Sequence, residues 1–312
     1  MTPSPRVTVS LVIYNGEKFL PSCLAALSAQ TEHNLEIIAL DNASTDRSVD
    51  ILKKDPRITL IKSAINLGFA AGHNTILRKA KTPLCLILNQ DIILEPEYIA
   101  RLIKALENTP NAASATGCLL RAQWGDKGLT KWEKSSIIDS CGIRIGIWGE
   151  PSDYLQGFPV QKAPNNKQNV WGASGAAALY KRECLEKVAY KGKGATEYFD
   201  EQFFMYKEDV DLAFRLKKAG YDAILEGSAR AYHFRTRAKD SPRSNTLVNV
   251  WSYRNQWFIY YKYGILRYIL FRPLFLVREV AKLGYMLLFE RSTLAAWKEI
   301  VRYAKKAKKR QY

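Results

Sequence analysis

The chain has 312 residues, 47% of them apolar and 25% charged, which is the composition of a folded protein with a sizeable core. A formal charge of +17 calls for an anionic partner: nucleic acid, acidic lipid or a phosphorylated substrate. There is no run of about 18 apolar residues to predict a transmembrane helix, and five scattered cysteines without CxxC spacing exclude a disulfide framework and a zinc site.

Residues 1–6 lead straight into a strand, without a secretory pattern, so the expected location is cytoplasmic. Val7–Ile13, Leu35–Leu40, Ile58–Ile61 and Leu84–Leu88 read as strands. Helix-like stretches separate them at Glu17–Gln30, Ser44–Lys54 and Ala70–Lys79. This alternation predicts βαβ units and a parallel sheet. In such sheets ligands bind beyond the carboxyl ends of the strands. Those ends carry Tyr14-Asn15-Gly16-Glu17, Asp41-Asn42-Ala43-Ser44-Thr45-Asp46, Asn66 to Asn74, and Asn89-Gln90-Asp91. One such cluster alone is equally a turn or a helix N-cap. Four on one rim point to a site.

From Arg121 to Asn169 periodicity is weak, and the stretch reads as loops and short strands over the active face. Val170–Tyr180 is a small-residue turn feeding a buried strand. Phe199–Lys207 follows, and Glu208-Asp209-Val210-Asp211 opens a helix that stops at Gly220. His233 follows a further strand, and Arg235 and Arg237 begin a polar stretch reaching Arg243. Between Asn245 and Tyr312 there are 14 Lys/Arg against 3 Asp/Glu, with 15 aromatic residues interleaved. That mixture predicts helices lying on an anionic membrane surface, or else packed on the preceding domain with a solvated basic end.

Residues 7 to about 235 resemble the family-2 inverting glycosyltransferases of the GT-A fold, especially the rhamnosyltransferase-like branch. The resemblance is carried by Val9-Ser10-Leu11-Val12-Ile13-Tyr14-Asn15, Asp41–Asp46, Asn66-Leu67-Gly68-Phe69-Ala70-Ala71-Gly72-His73-Asn74, Leu88–Asp91 and Glu208–Leu212. It implies a Rossmann-like, mostly parallel central sheet flanked by helices. The catalytic domain would span 1–240, with a basic, aromatic helical extension over 241–312. The activity implied is transfer of a sugar from a dTDP- or UDP-linked donor, with dTDP-L-rhamnose favoured, to a glycan or lipid-linked acceptor. The enzyme would sit peripherally on the cytosolic face of the membrane.

The resemblance also assigns roles. Ser10, Tyr14, Asn15, Asp41, Asn42, Asn66, Gly68, Phe69, Gly72, Asn74, Asn89 and Gln90 would hold the nucleotide sugar. Asp41 would accept the imide N–H of uracil or thymine, although a helix cap is its other reading. The two glycines and a helix N-terminus, which favours anions, would lie against the nucleotide. Asn89-Gln90-Asp91 stands where the family has Asp-x-Asp, so Asp91 alone supplies a carboxylate to Mg2+ or Mn2+, with His233 as a second ligand. Trp171, Gly172, Ala173 and Ser174 match the acceptor-side loop. Asp209 would be the base that takes the acceptor's proton, with Glu208 the alternative and repulsion from Glu208 and Asp211 raising its proton affinity. An acidic first turn answering the helix dipole is the plainer account of the same residues. A basic nucleic-acid-binding protein would explain the charge but not the rim clusters, and no nucleic acid is expected.

Overall fold

Strands β1 (Val7–Ile13), β2 (Leu35–Asp41), β3 (Ile58–Lys62) and β4 (Leu84–Asn89) pair in parallel in the order β3-β2-β1-β4. Both faces of this sheet are covered, so its central strands are near-continuous apolar runs. Their side chains alternate between two cores. Val9 and Leu11 of β1 and Leu86 and Leu88 of β4 face α1 (Leu20–Ser28) and α4 (Tyr98–Glu107). Cys85 and Ile87 point the other way, toward α3 (Gly68–Leu77) and α6 (Glu208–Lys218). The computed structural model describes residues 4–124, 132–146, 149–191, 194–234, 246–264, 273–289 and 291–307.

Beyond β4 the sheet becomes mixed. It continues through β11 (Ala177–Lys181), β6 (Ala112–Trp124), β12 (Asp222–His233) and β10 (Lys167–Val170), to make ten strands with β5 (Ile92–Leu94) and β7 (Trp132–Ser140). A separate hairpin joins β8 (Ile143–Ile145) to β9 (Pro151–Asp153). The expected helix-flanked α/β sheet is therefore present. Two short helices, α2 (Ser48–Lys53) and α5 (Arg182–Val188), complete this part.

The stretch after Arg121 is more ordered than its sequence suggests, because β6 runs 13 residues and pairs with β7. Their ends close over an aromatic cluster of Phe19, Trp124, Trp132, Tyr232 and Phe234. Helices α1 and α2 start later than expected, since the preceding residues are engaged in loop contacts described below. All five cysteines are buried and free.

Among the described residues three C-terminal helices follow: α7 (Thr246–Lys262), α8 (Pro273–Phe289) and α9 (Ala296–Ala307). Among the described residues no helix is long and apolar enough to cross a membrane. Helix α7 lies past the boundary expected near residue 240, yet its polar residues are buried against the catalytic region. Lys262 Nζ binds Asp200 at 2.7 Å and also bonds Asp211, while the Arg215 guanidinium reaches Asp211 from α6 at 2.9 Å. The basic cluster Lys308, Lys309 and Arg310, and the polar stretch containing Arg235 and Arg237, lie outside the described residues.

Candidate active site

The loops after β1, β2 and β4 are stitched to one another. Asn15, at a φ of 48°, accepts the Thr45 N–H at 2.9 Å and donates its own N–H to Ser44 Oγ at 3.0 Å. Gly16 N–H reaches Ser48 Oγ at 2.8 Å. Gln90 clips the backbone of Tyr14 from both sides, accepting its N–H and donating to its carbonyl, each at 3.0 Å. Any side chain at Gly16 would strike Gln90. Gln90 thus shapes the rim, while Tyr14 stays 47% exposed above it. Ser10 lies lower, fully buried, with its hydroxyl on His73 Nδ1 at 2.8 Å. Burial pushes His73 down to about 3, so that ring is neutral.

Asp41 ends β2, nearly buried, with one carboxylate oxygen accepting the Ser44 N–H at 3.3 Å. The cap reading for Asp41 does not apply, because α2 starts at Ser48 and Asp46 accepts the Ser48 N–H at 3.0 Å. Asn42 is a brace. It donates to Asn66 Oδ1 at 3.0 Å and the Gly68 carbonyl at 3.1 Å, and accepts the Leu67 N–H at 2.7 Å.

The Asn66–Asn74 segment differs from its expected role. The start of α3 offers no free N–H groups to an anion. Gly68 N–H bonds Asn66 Oδ1 at 2.9 Å, and Phe69 and Ala70 N–H groups both bond the Phe204 carbonyl, at 2.7 and 3.1 Å. Gly68, at a φ of 78°, leaves room for Phe204, whose ring and carbonyl lie 2.6 Å from where a Cβ would be. Gly72 likewise meets protein, since a Cβ would sit 2.9 Å from both Val12 methyls. Phe69 packs on His73 and Phe199. Asn74, fully buried, accepts the Tyr198 and Phe199 N–H groups at 3.0 and 2.9 Å and donates to the Phe199 carbonyl at 2.8 Å. These residues tie α3 to the segment before α6. Only Asn66 stays on the surface.

Asp91 and His233 do come together. The Phe234 N–H bonds the Asp91 carbonyl at 3.0 Å and sets β12 beside the end of β4. His233 Nε2 then lies 3.5 Å from Asp91 Oδ1, and its Nδ1 lies 2.7 Å from Asp139 Oδ2. Burial disfavours a charged ring, but the carboxylates of Asp91 and Asp139 override it and push His233 up to about 10. The place attracts positive charge. Asp139, which the sequence did not single out, acts as a carboxylate orienting a metal-facing histidine would. The Asp91 carboxylate is the donor type that suits Mn2+ or Mg2+. Among the described residues no group of three or more His, Cys, Asp or Glu could hold an ion, so donor phosphates and water would complete the shell. Asn89 ends β4 half-buried, its N–H on the Ala176 carbonyl at 2.9 Å.

The next residue along, Gly175, reaches the other half of the site. Its N–H donates to Asp209 Oδ2 at 2.9 Å, and Val210 N–H binds Oδ1 at 2.8 Å. Asp209 is half-buried, and its proton affinity is raised by burial and by the charge of Asp153, against the pull of those two N–H groups. The expected repulsion from Glu208 and Asp211 is not among the leading causes. Asp211 is turned away and held below the usual carboxylate range, because Lys262 and Arg215 outweigh its burial. Glu208 is buried and pushed well above its ordinary value by desolvation and by Asp209. Its Oε2 has no hydrogen-bond partner among the described residues.

Residues 171–174 pack against α6. Trp171 meets Phe214 edge-on at 5.2 Å, and a Cβ on Gly172 would lie 2.5 Å from that of Ala213. Ala173 and Ser174 are buried. Their service is to seat α6. The turn before α6 is unusual, with Phe204, Tyr206 and Lys207 at φ values of 63°, 70° and 68°. Such conformations are costly for side-chain-bearing residues and persist only when surroundings enforce them. Asn255 of α7 does this, its two Nδ2 N–H groups shared among the carbonyls of Phe203, Met205 and Tyr206 at 2.7 to 2.9 Å, with Arg254 joining at Phe203 at 2.8 Å.

Residues 8–189 match the family model described as glycosyl transferase family 2. The chain belongs to glycosyltransferase family 2. A relative of this family-2 glycosyltransferase is the N-acetylglucosaminyl-diphospho-decaprenol L-rhamnosyltransferase of Mycobacterium tuberculosis, 27% identical, spanning 72% of this chain and 75% of its own length. Another is the glycosyltransferase GlyA of Streptococcus pneumoniae, 32% identical over 72% of this chain and 32% of its own. Among solved structures, a mannosyltransferase from Pyrobaculum calidifontis in complex with GDP-Man and Mn2+ superposes with a TM-score of 0.56 at 19% identity, covering 98% of this chain and 76% of that one. Residues 1–349 of S. aureus TarS give 0.55 at 14% identity, covering 97% and 80%. These likenesses show the GT-A fold.

Proposed function

We propose that this glycosyltransferase inverts the anomeric centre of a nucleoside diphosphate sugar as it passes the sugar to a lipid-linked glycan at the cytosolic face of a membrane, in cell-surface polysaccharide synthesis. One observation carries the reading. Asp209 is a half-buried carboxylate of raised proton affinity, held by Gly175, next in chain to the Ala176 that binds the Asn89 end of β4. Base and donor ends of the site are thereby coupled through two adjacent residues.

In this reading Asp209 takes the proton of the acceptor hydroxyl as its oxygen attacks the anomeric carbon opposite the diphosphate. Asp91 and His233 would hold a divalent cation, which when bound neutralises charge on the departing diphosphate. Asp139 keeps the His233 ring turned so that Nε2 faces Asp91. Asp41 and the exposed rim around Tyr14, Asn15 and Asn66 offer contacts to base and ribose, while the buried asparagines and glycines fix the shape of that rim.

The M. tuberculosis relative, an L-rhamnosyltransferase named for N-acetylglucosaminyl-diphospho-decaprenol, favours L-rhamnose as the sugar, in our reading carried on dTDP, and a diphosphate-linked polyprenyl glycan as acceptor. A UDP-hexose is the second reading, favoured by the likeness to S. aureus TarS solved with UDP. A panel of dTDP- and UDP-sugars with Mn2+ or Mg2+ and lipid acceptors, scored for nucleoside diphosphate release and product anomer, tests both. Rhamnose transfer with inverted configuration, lost with EDTA and restored by Mn2+, is the expected result. No turnover with any donor, or retained configuration, would sink it.

A further inference from the structure

Helix α8 is amphipathic in the wrong sense for a helix packed only on protein. Leu276, Val277, Val280, Leu283, Leu287 and Leu288 are 37% to 73% exposed. Arg278, Ala281, Lys282, Tyr285 and Met286, at helical spacing on the other side, line a cavity of about 540 Å3 against α7. Single exposed apolar residues are ordinary, but a continuous stripe marks a contact surface. A helix with one apolar and one cationic face suits the plane of a lipid surface. Exposed Lys298 and Arg302 on α9 add positive charge nearby in the chain.

The cavity's chemistry is one-sided. Among the described residues every charged one lining it is a cation: Lys207, Arg278 and Lys282. Glu279 accepts from the last two, each at 3.1 Å. Arg278 also donates to Tyr260 Oη at 3.2 Å and lies 3.9 Å from Glu150 Oε2, so a phosphate would compete for it, while Lys282 carries two further N–H donors beyond its bond to Glu279. Gln256 also lines it, and its buried Nε2 finds no acceptor among the described residues. A buried donor without an acceptor is costly unless a ligand supplies one. Lys207 places the cavity beside the chemistry, because it precedes the first residue of α6 and stands two positions before Asp209.

We propose that this cavity receives the phosphorylated headgroup of a membrane-anchored acceptor, with the outer stripe of α8 seated in the lipid surface and Arg278, Lys282 and Gln256 on phosphate oxygens. The assignment rests on the glycosyl-transfer reading for its sense, since a headgroup there sets the attached sugar toward Asp209. The apolar chain of the ligand would leave along α8 into the membrane.

The test titrates the full chain with a short-chain prenyl diphosphate, with inorganic pyrophosphate, and with vesicles containing phosphatidylglycerol, following tryptophan fluorescence and co-sedimentation. The prenyl diphosphate is expected to bind about tenfold or more tightly than pyrophosphate. Arg278→Gln with Lys282→Gln should weaken it about tenfold or more, as loss of charge-assisted hydrogen bonds does. Lys282→Gln alone, at a side chain 44% exposed, should act in the same direction without disturbing the fold. Val280→Glu with Leu288→Glu should abolish vesicle binding. Equal affinity for prenyl diphosphate and pyrophosphate would overturn the proposal. So would cation variants that lose vesicles but keep the prenyl ligand, or outer-stripe variants that still bind vesicles. These readouts need no turnover. A protein inactive on every nucleotide sugar that still bound the prenyl diphosphate through Arg278 and Lys282 would remove the transfer reading and leave the cavity assignment supported.

Discussion

Gly175 and Asp209 are in contact through both backbone and bulk: the glycine N–H holds Asp209 Oδ2 at 2.9 Å, and a Cβ on Gly175 would sit 3.0 Å from that of Asp209. Gly175→Ala must therefore push the carboxylate by some tenths of an ångström. Reaction geometry is sensitive at that scale, so kcat is expected to fall about tenfold while nucleotide affinity holds. Asp209→Asn, which keeps the shape but cannot take a proton, should lose about 10²- to 10⁴-fold in kcat. Wild-type turnover by Asp209→Asn in a steady-state assay would remove it as the base.

The pH profile offers a separate check. Burial and Asp153 raise the proton affinity of Asp209, so its carboxylate is lost as pH falls through a value above the ordinary one of about 3.9. kcat/KM should show an acid limb in that higher range. Asp153→Asn removes a like charge and should move the limb to lower pH. A limb unmoved by that change would mean that another group controls it.

Glu208 should act on stability. Its folded-state proton affinity is well above the ordinary value, chiefly through burial. Between the unfolded and folded values the native state holds a proton that the unfolded chain has released, so stability falls as pH rises through that window. Glu208→Gln abolishes the titration. Its Tm should exceed that of wild type at pH 8 and the gap should close toward pH 5, where differential scanning calorimetry can follow it.

The sheet was legible because β1, β2 and β4 are apolar runs ended by turn residues, and a parallel sheet sets such ends on one rim. What the rim residues do was harder to read. Asn74 and Gln90 look like ligand contacts, yet their amides bond backbone at Tyr198, Phe199 and Tyr14, and no spacing rule reveals partners 76 to 125 residues away. Gly72 resembles a phosphate-loop glycine but serves the packing of α3 on Val12. Strand β6 escaped notice because its first half is Ala, Ser, Thr and Gly. Small residues are needed there, since a Cβ at Gly117 would lie 2.5 Å from the Tyr98 ring. Asp139 and Asp153 lie in the stretch of weakest periodicity, where only three-dimensional pairing brings them to His233 and Asp209.

Asn255 gives the next prediction. Its amide satisfies three carbonyls of the Phe203–Tyr206 turn, which carries backbone conformations that need support. Asn255→Ala removes both amide donors that these carbonyls share, each hydrogen bond contributing about 1 kcal/mol. The turn should relax and α6 should lose its fixed start, lowering kcat about tenfold or more with little change in donor KM. A variant with raised KM and unchanged kcat would show that the turn serves donor binding instead.

Lys262 tests whether α7 is part of the catalytic body. Its ammonium is buried between Asp200 and Asp211, and Asp211 shares Arg215. Lys262→Met keeps the length of the side chain but leaves Asp200 facing low dielectric without its cation. Breaking a buried ion pair by removing one partner costs about 3–5 kcal/mol. Urea denaturation should show a loss of that size, and the double variant Lys262→Met/Asp200→Asn should recover part of it, because the stranded charge is gone. A loss below about 1 kcal/mol would mean that the helix past residue 240 is an appendage. The expected loss would mean that a domain cut at 240 lacks the cation holding Asp200 and Asp211, on either side of Asp209 in the chain.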